Sequence, residues 1–374
     1  MKKIQMVDLA SQYQRIKAEI DQGIQEVIDS AQFVKGHKVV EFQEHLQSYT
    51  GAKHVIAVGN GTDALQIALM ALGLKRGDEV ITPTFTFIAT AEVVALLGLT
   101  PVVVDVDWGT MNISLDSIRR AITPRTKAIV PVHLFGQCAP MAEILSIARE
   151  HNLYVVEDAC QAIGARYTFP DGTVKQAGTM GDVGCTSFFP SKNLGCYGDG
   201  GAMFTDNDAL AERMRAIANH GMVVRYHHDI VGVNSRLDTI QAAVLDAKLP
   251  HLDEYIVARQ KAAAHYDEAF KDCTNILIPS RDTASTHVYH QYTLRVVGAN
   301  RDELKAKLAE KNIPAMVYYP IPLHMQKAYQ DSRYKEGDFP VAEKLATCVL
   351  SLPMHTELDE EQLSYITDTV KGLI

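Results

Sequence analysis

At 374 residues the chain exceeds the length at which a single hydrophobic core usually splits, so a large domain with a smaller appendage is expected. Hydrophobic residues make up 47% and charged residues 22%, the balance of soluble globular enzymes, which excludes extensive disorder. The formal net charge of -9, with no basic run to offset it, opposes nucleic acid and anionic membranes, so an anionic ligand has to be captured by local donors.

The first 20 residues, MKKIQMVDLASQYQRIKAEI, carry lysines but no continuous apolar stretch and no small-residue cleavage site, so no export signal is read and a cytoplasmic location is expected. From about residue 55 to about residue 205, apolar strand-like runs alternate with helical periods. That alternation marks βαβ units and a mainly parallel sheet with flanking helices, an α/β fold. Strands are expected over His54–Val58, Glu79–Pro83, Pro101–Val106, Ala128–Leu134, Tyr154–Glu157, Val183–Phe188 and Gly201–Thr205. Helical spacing covers Asp63–Leu72, Ala89–Leu97, Leu115–Ile122 and Met141–His151. The most apolar stretch, Phe87–Val104, contains Glu92 and is broken by Gly98 and Pro101, so a buried helix followed by a strand explains it better than a membrane span.

Arg225–Leu237, RYHHDIVGVNSRL, is polar with little periodicity and reads as a long functional loop. Beyond Leu249 the pattern changes to a long helix (Leu252–Phe270), a strand (Gln291–Val297), a helix (Asp302–Lys311) and a last helix from about Asp359. The boundary is therefore drawn between a large ligand-binding α/β domain, 1–250, and a small α+β domain, 251–374.

Open sheets of this kind gather ligands beyond the carboxyl ends of their strands, so the residues there are the candidates for chemistry. VGNGTDALQIAL, Val58–Leu69, is a strand, a glycine turn and a helix start, and the N–H groups of Gly61 and Thr62 with the Thr62 hydroxyl suit a phosphate. Gly59, Gly61 and Ala64 also fit a dinucleotide pattern with Glu79 about 20 residues on. A nicotinamide-dependent oxidoreductase is thus the rival, weakened because Glu79 opens its strand instead of ending it. In TPTFTFIATAEVV, Thr82–Val94, an aromatic residue after the strand can stack on a flat ring; Phe85 is favoured over Phe87, for which core packing is at least as good a reading.

Asp158 follows the strand of YVVEDACQAIG and can hold a pyridine nitrogen protonated, the alternative being a cap on the next helix; Gln161 can donate to a phenolic oxygen. SFFPSKNLGCYGDGGA, Ser187–Ala202, sets Lys192 among Phe188, Phe189, Pro190 and glycines. A lysine that attacks an aldehyde needs a depressed pKa, and apolar surroundings supply one. The alternative is a solvated loop lysine. The six cysteines show no C-x-x-C pair and read as reduced, buried thiols, while adjacent His227 and His228 lack partner ligands at metal spacing.

Together NGTDAL, PTFTFIAT, VVEDACQAIGA, SFFPSKNLG with GDGGA, and GVNSRLDTIQAAVL resemble the DegT-type sugar aminotransferases over nearly the whole chain, in that family's order. The resemblance implies the fold-type I aminotransferase architecture, a homodimer with shared active sites, and pyridoxal 5'-phosphate joined to Lys192 through an imine. It also implies that Asp158 meets the pyridine nitrogen, Gln161 the phenolic oxygen, and Ser187, Gly61 and Thr62 the phosphate, with Asn234 reaching the phosphate from the neighbouring subunit. Catalysis then falls to Lys192 and Asp158. Within the family, RYHH, VGVNSRLDT and SKNLGCYGDGGA look most like enzymes that aminate UDP-2-acetamido-2-deoxy-3-oxo-D-glucuronate at C3 for surface polysaccharide synthesis, with L-glutamate as donor. Arg236 is the candidate grip on the sugar acid, since a guanidinium matches a carboxylate. VYYPIPLH, Val317–His324, corresponds to the family's substrate loop and offers Tyr319 and His324 as sugar contacts, but carries Tyr318 where the family commonly has histidine. A dTDP- or UDP-linked 3- or 4-keto-6-deoxyhexose is therefore the alternative substrate, and a non-catalytic regulator of the same fold the alternative class.

Overall fold

The computed structural model describes residues 2–374. Its strands are β1 (His54–Val58), β2 (Glu79–Pro83), β3 (Thr100–Val104), β4 (Thr126–Ile129), β5 (Tyr154–Asp158), β6 (Arg166–Thr168), β7 (Val174–Gln176), β8 (Val183–Ser187), β9 (Gly201–Thr205), β10 (Ile276–Leu277), β11 (Tyr292–Val296) and β12 (Val349–Leu352). Seven of them form one sheet in the order β1-β9-β8-β5-β4-β2-β3, and β6 and β7 make a separate hairpin. In the large sheet β9 runs antiparallel to both its neighbours, while the other adjacent pairs are parallel. Helices over Gly61–Ala71, Ala89–Leu96, Leu115–Ala121 and Met141–His151 are the crossovers between these strands. Val80 and Ile81 on β2, Val155 and Val156 on β5 and Met203 on β9 are fully buried, as strands covered on both faces require.

The expected strand over Ala128–Leu134 ends at Ile129 instead, because Pro131 has no N–H to give to a ladder. The chain then turns through a short 3-10 segment, Leu134–Gly136, in which Phe135 takes a left-handed φ of 57°. Helices over Leu9–Arg15, Lys17–Ser30, His37–Thr50, Asp208–Ala218, Thr239–Lys248 and Pro340–Cys348 go beyond those expected. Their stability is tertiary: Ile16 and Ile20, for example, bury themselves against Val244 of the helix Thr239–Lys248. Arg225–Leu237 contains no regular helix or strand, only isolated bridges such as Asn219–Asn234.

After the helix Leu252–Phe270 the chain builds a three-stranded antiparallel sheet, β10-β11-β12, packed on the helices Arg301–Glu310 and Glu360–Leu373. Its cluster also takes in Ile4 from the other end of the chain. The seam with the large sheet is apolar, with Phe85, Val132 and Phe135 against Ala342, Leu345 and Val349. One polar device pins it: the Asp105 carboxylate accepts the N–H groups of Val341 at 3.1 Å and Ala342 at 2.9 Å, capping a helix that has no capping side chain of its own. Among the described residues no helix is long and apolar enough to cross a membrane. Asp105→Ala should cost about 1–2 kcal/mol in urea unfolding, the usual loss for a helix cap, and loosen the seam first.

Candidate active site

The parallel strands all end at one edge, and β9 begins there. A cavity of about 790 Å³ opens at that edge beneath the loop that carries Tyr318 and Tyr319. After β1 the Asn60 side chain accepts the N–H of Asp63 at 2.8 Å and caps the helix Gly61–Ala71. The N–H groups of Gly61 and Thr62 are then directed off the helix end into the cavity, where the helix dipole adds positive potential. Gly61 is required by space: a Cβ there would stand 2.8 Å from both Cys160 Sγ and Ser187 Cβ. Gly201 is equally confined, since a Cβ would meet the Asn60 carbonyl at 2.5 Å.

Asp158, the last residue of β5, lies on the cavity wall with its carboxylate fixed by the Thr90 hydroxyl at 2.8 Å and the Cys160 N–H at 3.2 Å. Behind it, the fully buried Glu157 accepts N–H groups from Gly178 (2.8 Å), Met180 (2.6 Å) and Gly181 (2.6 Å). His133 donates to Glu157 through Nε2 at 2.8 Å, because its Nδ1 already accepts from Ala139. The His133 N–H is bound by the Asp158 carbonyl, so this buried network holds the backbone beneath the cavity floor. Gln161 accepts the Phe135 N–H at 2.8 Å and donates to the Tyr319 hydroxyl at 3.1 Å. Burial raises the pKa of Tyr319, which keeps its phenol protonated.

Lys192 sits on the loop between β8 and β9. Asn193 donates to the Val288 carbonyl at 2.8 Å and the buried Lys248 donates to the Gly195 carbonyl at 2.7 Å, fastening the loop on both sides. Burial depresses the pKa of Lys192, and the neighbouring Cys160 and Asp158 oppose that shift without cancelling it. Among the described residues no hydrogen bond or ion pair engages its amine.

The cavity thus brings together Lys192, Asp158, Gln161, Ser187, Gly61, Thr62 and Tyr319 of the residues singled out in the sequence. It does not bring in Phe85, which is 0% exposed in the seam; Phe87, 55% exposed, lines the cavity in its place. Two residues further from β2, Phe87 has cleared the packed interior. Asn234 does not line this cavity either, and Arg236 lines a separate surface pocket with Lys35 and Arg215. Ser235 between them donates to Asp63 at 2.5 Å and accepts the Gly59 N–H, which turns its neighbours away from the cavity of their own chain. His324 is also outside: its Nδ1 accepts from the Thr84 hydroxyl at 2.8 Å and its Nε2 donates to Glu343 at 3.1 Å, leaving no ring nitrogen for a sugar. Thr90, His290 and Tyr318 were not singled out as site residues from sequence. Thr90 lies one helical turn from Thr86, a spacing that could have pointed to it; His290 enters from a distant segment without local signal. Glu79, the acidic residue of the dinucleotide pattern, is tied to Arg125 and Thr123 at the opposite edge of the sheet.

A glycine-backed helix terminus, a fixed carboxylate and a desolvated lysine around one cavity at the carboxyl edge define a class of enzyme that forms imines on phosphorylated ligands. Residues 14–371 match the model of the DegT/DnrJ/EryC1/StrS aminotransferase family, and the chain belongs to that family. It is 50% identical over 97% of its length, and 98% of the relative's, to the UDP-2-acetamido-2-deoxy-3-oxo-D-glucuronate aminotransferase of Pseudomonas aeruginosa. A protein of Geobacillus stearothermophilus named a pleiotropic regulatory protein is 47% identical over 98% of this chain and 97% of its own. Among solved structures, NtdA from Bacillus subtilis with bound cofactor PMP matches with a TM-score of 0.89 at 33% identity, covering 98% of this chain and 83% of that one.

The lowered pKa of Lys192 has a stability consequence. Between its folded value and the unfolded one, the unfolded chain binds more protons, so stability rises with pH there and the charged lysine is a burden at neutral pH. Lys192→Met should raise the melting temperature of the cofactor-free protein at pH 7. The advantage should shrink as pH approaches the ordinary lysine range of about 10. A melting temperature below that of the wild type at pH 7 would contradict a desolvated amine.

Proposed function

We propose that this aminotransferase uses pyridoxal 5'-phosphate to move an amino group from L-glutamate onto C3 of UDP-2-acetamido-2-deoxy-3-oxo-D-glucuronate. The observation that carries the reading is the Lys192 amine, desolvated and unengaged, in the same cavity as a fixed Asp158. The residues present fit the cofactor: with no side chain on Gly61 the helix N-terminus packs close against Ser187, so that the Gly61 and Thr62 N–H groups and the Ser187 hydroxyl line one side of the cavity, the donor set a phosphate needs. When bound, the cofactor supplies an electron sink for the donor's α-carbon.

Around it, Lys192 would hold the cofactor covalently and, once released, carry a proton between carbon atoms as a general base, for which a depressed pKa is the requirement. Asp158, held by Thr90 and the Cys160 N–H, would keep the pyridine nitrogen protonated. Gly61, Thr62 and Ser187 would receive the phosphate, and Phe87, in place of Phe85, would cover the ring. Gln161, whose amide nitrogen donates to the Tyr319 hydroxyl, would donate to the phenolic oxygen.

The same reading makes the enzyme a homodimer with shared sites. Asn234 and Arg236 face away from their own cavity, and near them the surface exposes Phe33, Val34, Val40, Val223 and Val224, an apolar patch of the kind a second copy covers. Across that interface Asn234 would reach the partner's phosphate and Arg236 the sugar carboxylate. A cytoplasmic setting and a division near residue 250 complete the proposal; six free thiols support the first and the separate cluster around β11 the second. The substrate rests on the Pseudomonas relative. Tyr318 favours testing a second class, dTDP- or UDP-linked 3- or 4-keto-6-deoxyhexoses, alongside it. A regulator without chemistry would have no use for the unengaged amine facing Asp158.

Mixed with the cofactor, the protein should turn yellow and borohydride should trap the adduct on Lys192. Lys192→Ala should lose the colour and at least about 10⁴-fold of turnover, the order expected for a covalent nucleophile and base removed together. Turnover retained by that variant refutes the assignment. With glutamate and a panel of keto sugars, amination of the uronate and a selective loss on Arg236→Ala are expected. Equal loss on a neutral sugar would remove Arg236 from carboxylate recognition. Co-expressing Lys192→Ala with Asn234→Ala should restore one intact site per dimer and thus partial activity.

A further inference from the structure

His290 has no part in the chemistry above, yet it lines the same cavity as Lys192 and is only 7% exposed. Among the described residues neither of its ring nitrogens has a hydrogen-bond partner, and Nδ1 is completely buried. Buried polar atoms are almost always paired, so an orphan at a cavity wall points to a partner that arrives or moves during the reaction. Its backbone, by contrast, is firmly held. Arg259 donates from one nitrogen to the carbonyls of Tyr289 at 3.0 Å, His290 at 3.4 Å and Met354 at 3.0 Å. Tyr289, the preceding residue, is kept in the left-handed region at φ 46° by stacking on His287 at 3.9 Å and by the Arg281 bond to its hydroxyl. That turn aims the imidazole.

The lysine loop is fastened to this segment. Asn193, adjacent to Lys192, donates to the carbonyl of Val288, two residues before His290. Burial, then the charges of Lys192 and Arg259, hold the His290 pKa well below its usual value, so the ring faces the amine uncharged.

We propose that His290 is a positioning residue for Lys192, its imidazole accepting a hydrogen bond from the lysine nitrogen once that nitrogen, released from the cofactor, has become an ammonium and swung toward the ring. The proposal rests on the aminotransferase reading and deepens it. A released lysine has four rotatable side-chain bonds, and a general base has to lie within hydrogen-bond reach of the proton it takes. As the donor's α-carbon loses its proton, the amine gains it. The resulting ammonium then donates to the unprotonated ring nitrogen of His290, and no bond to the imidazole forms or breaks.

Competitive acetylation of the cofactor-free protein across pH reads the Lys192 amine directly, and steady-state kinetics with both substrates reads its use. His290→Phe should move the Lys192 labelling midpoint to lower pH, because an acceptor that favours the ammonium is gone. It should reduce kcat about 10- to 100-fold, the scale of a misplaced reacting group, with both KM values within about 3-fold of wild type. His290→Gln, which keeps an acceptor, should recover most of both. A labelling midpoint unmoved in His290→Phe, or equal behaviour of the two variants, overturns the proposal. Where His290→Phe does not fold, His290→Ala with and without added imidazole replaces it; restoration by imidazole supports the contact and absence of restoration overturns it. If the wild type transfers no amino group, the functional reading fails, while the labelling arm still decides whether His290 touches Lys192.

Discussion

The arrangement depends on removing one amine from water while keeping its electrostatic partner close. Lys192 loses hydration on the loop between β8 and β9, and Cys160 and Asp158, at the end of β5, return only part of that loss. An ion pair at full strength would raise the pKa and make the amine inert; full isolation would leave a burial too costly to keep. The protein settles between these limits by spending the carboxylate's acceptor capacity on Thr90 and the Cys160 N–H, so that Asp158 is satisfied without the lysine.

Much of the surrounding structure serves that compromise. Glu157 and His133, both fully buried, tie three N–H groups and a backbone turn into one network directly beneath Asp158. Gly61 and Gly201 let the terminus of the helix Gly61–Ala71 pack directly on Cys160, Ser187 and the start of β9. Lys248 reaches the Gly195 carbonyl and lies 4.5 Å from the centre of the Tyr197 ring, with a pKa lowered by burial to about 8. A buried lysine, Lys248, thus helps to hold the loop that carries the half-buried Lys192. The segment leading into β11 contributes the other wall through His290, and the loop after Met316 through Tyr318 and Tyr319.

The two sides of the site differ in how readable they were. Elements governed by local periodicity appear where the pattern puts them: β1, β2 and β9 and the helices Met141–His151 and Leu252–Phe270 keep the expected limits. Residues at or just beyond strand ends, such as Gly61, Asp158 and Ser187, follow, since a parallel sheet gathers its strand ends at one edge. The choice between Phe85 and Phe87 was not readable, because both rings follow the same strand and only the packing of Ala342 and Leu345 over the first distinguishes them. The same limit applies to His324, whose engagement by Thr84 and Glu343 joins residues far apart in the chain.

The sequence by itself determined the βαβ order, the lysine between its glycines, the carboxylate at a strand end and the family to which such motifs belong, because each is set by neighbours within a few residues. Only the tertiary structure decided that Phe87 faces the cavity, that Gln161 is shared with Tyr319, that Asn234 and Arg236 turn away, and that His290 stands unpaired on the wall. Those outcomes depend on segments tens to hundreds of residues apart meeting in one place, and no local pattern encodes which side chain is left without a partner when they do.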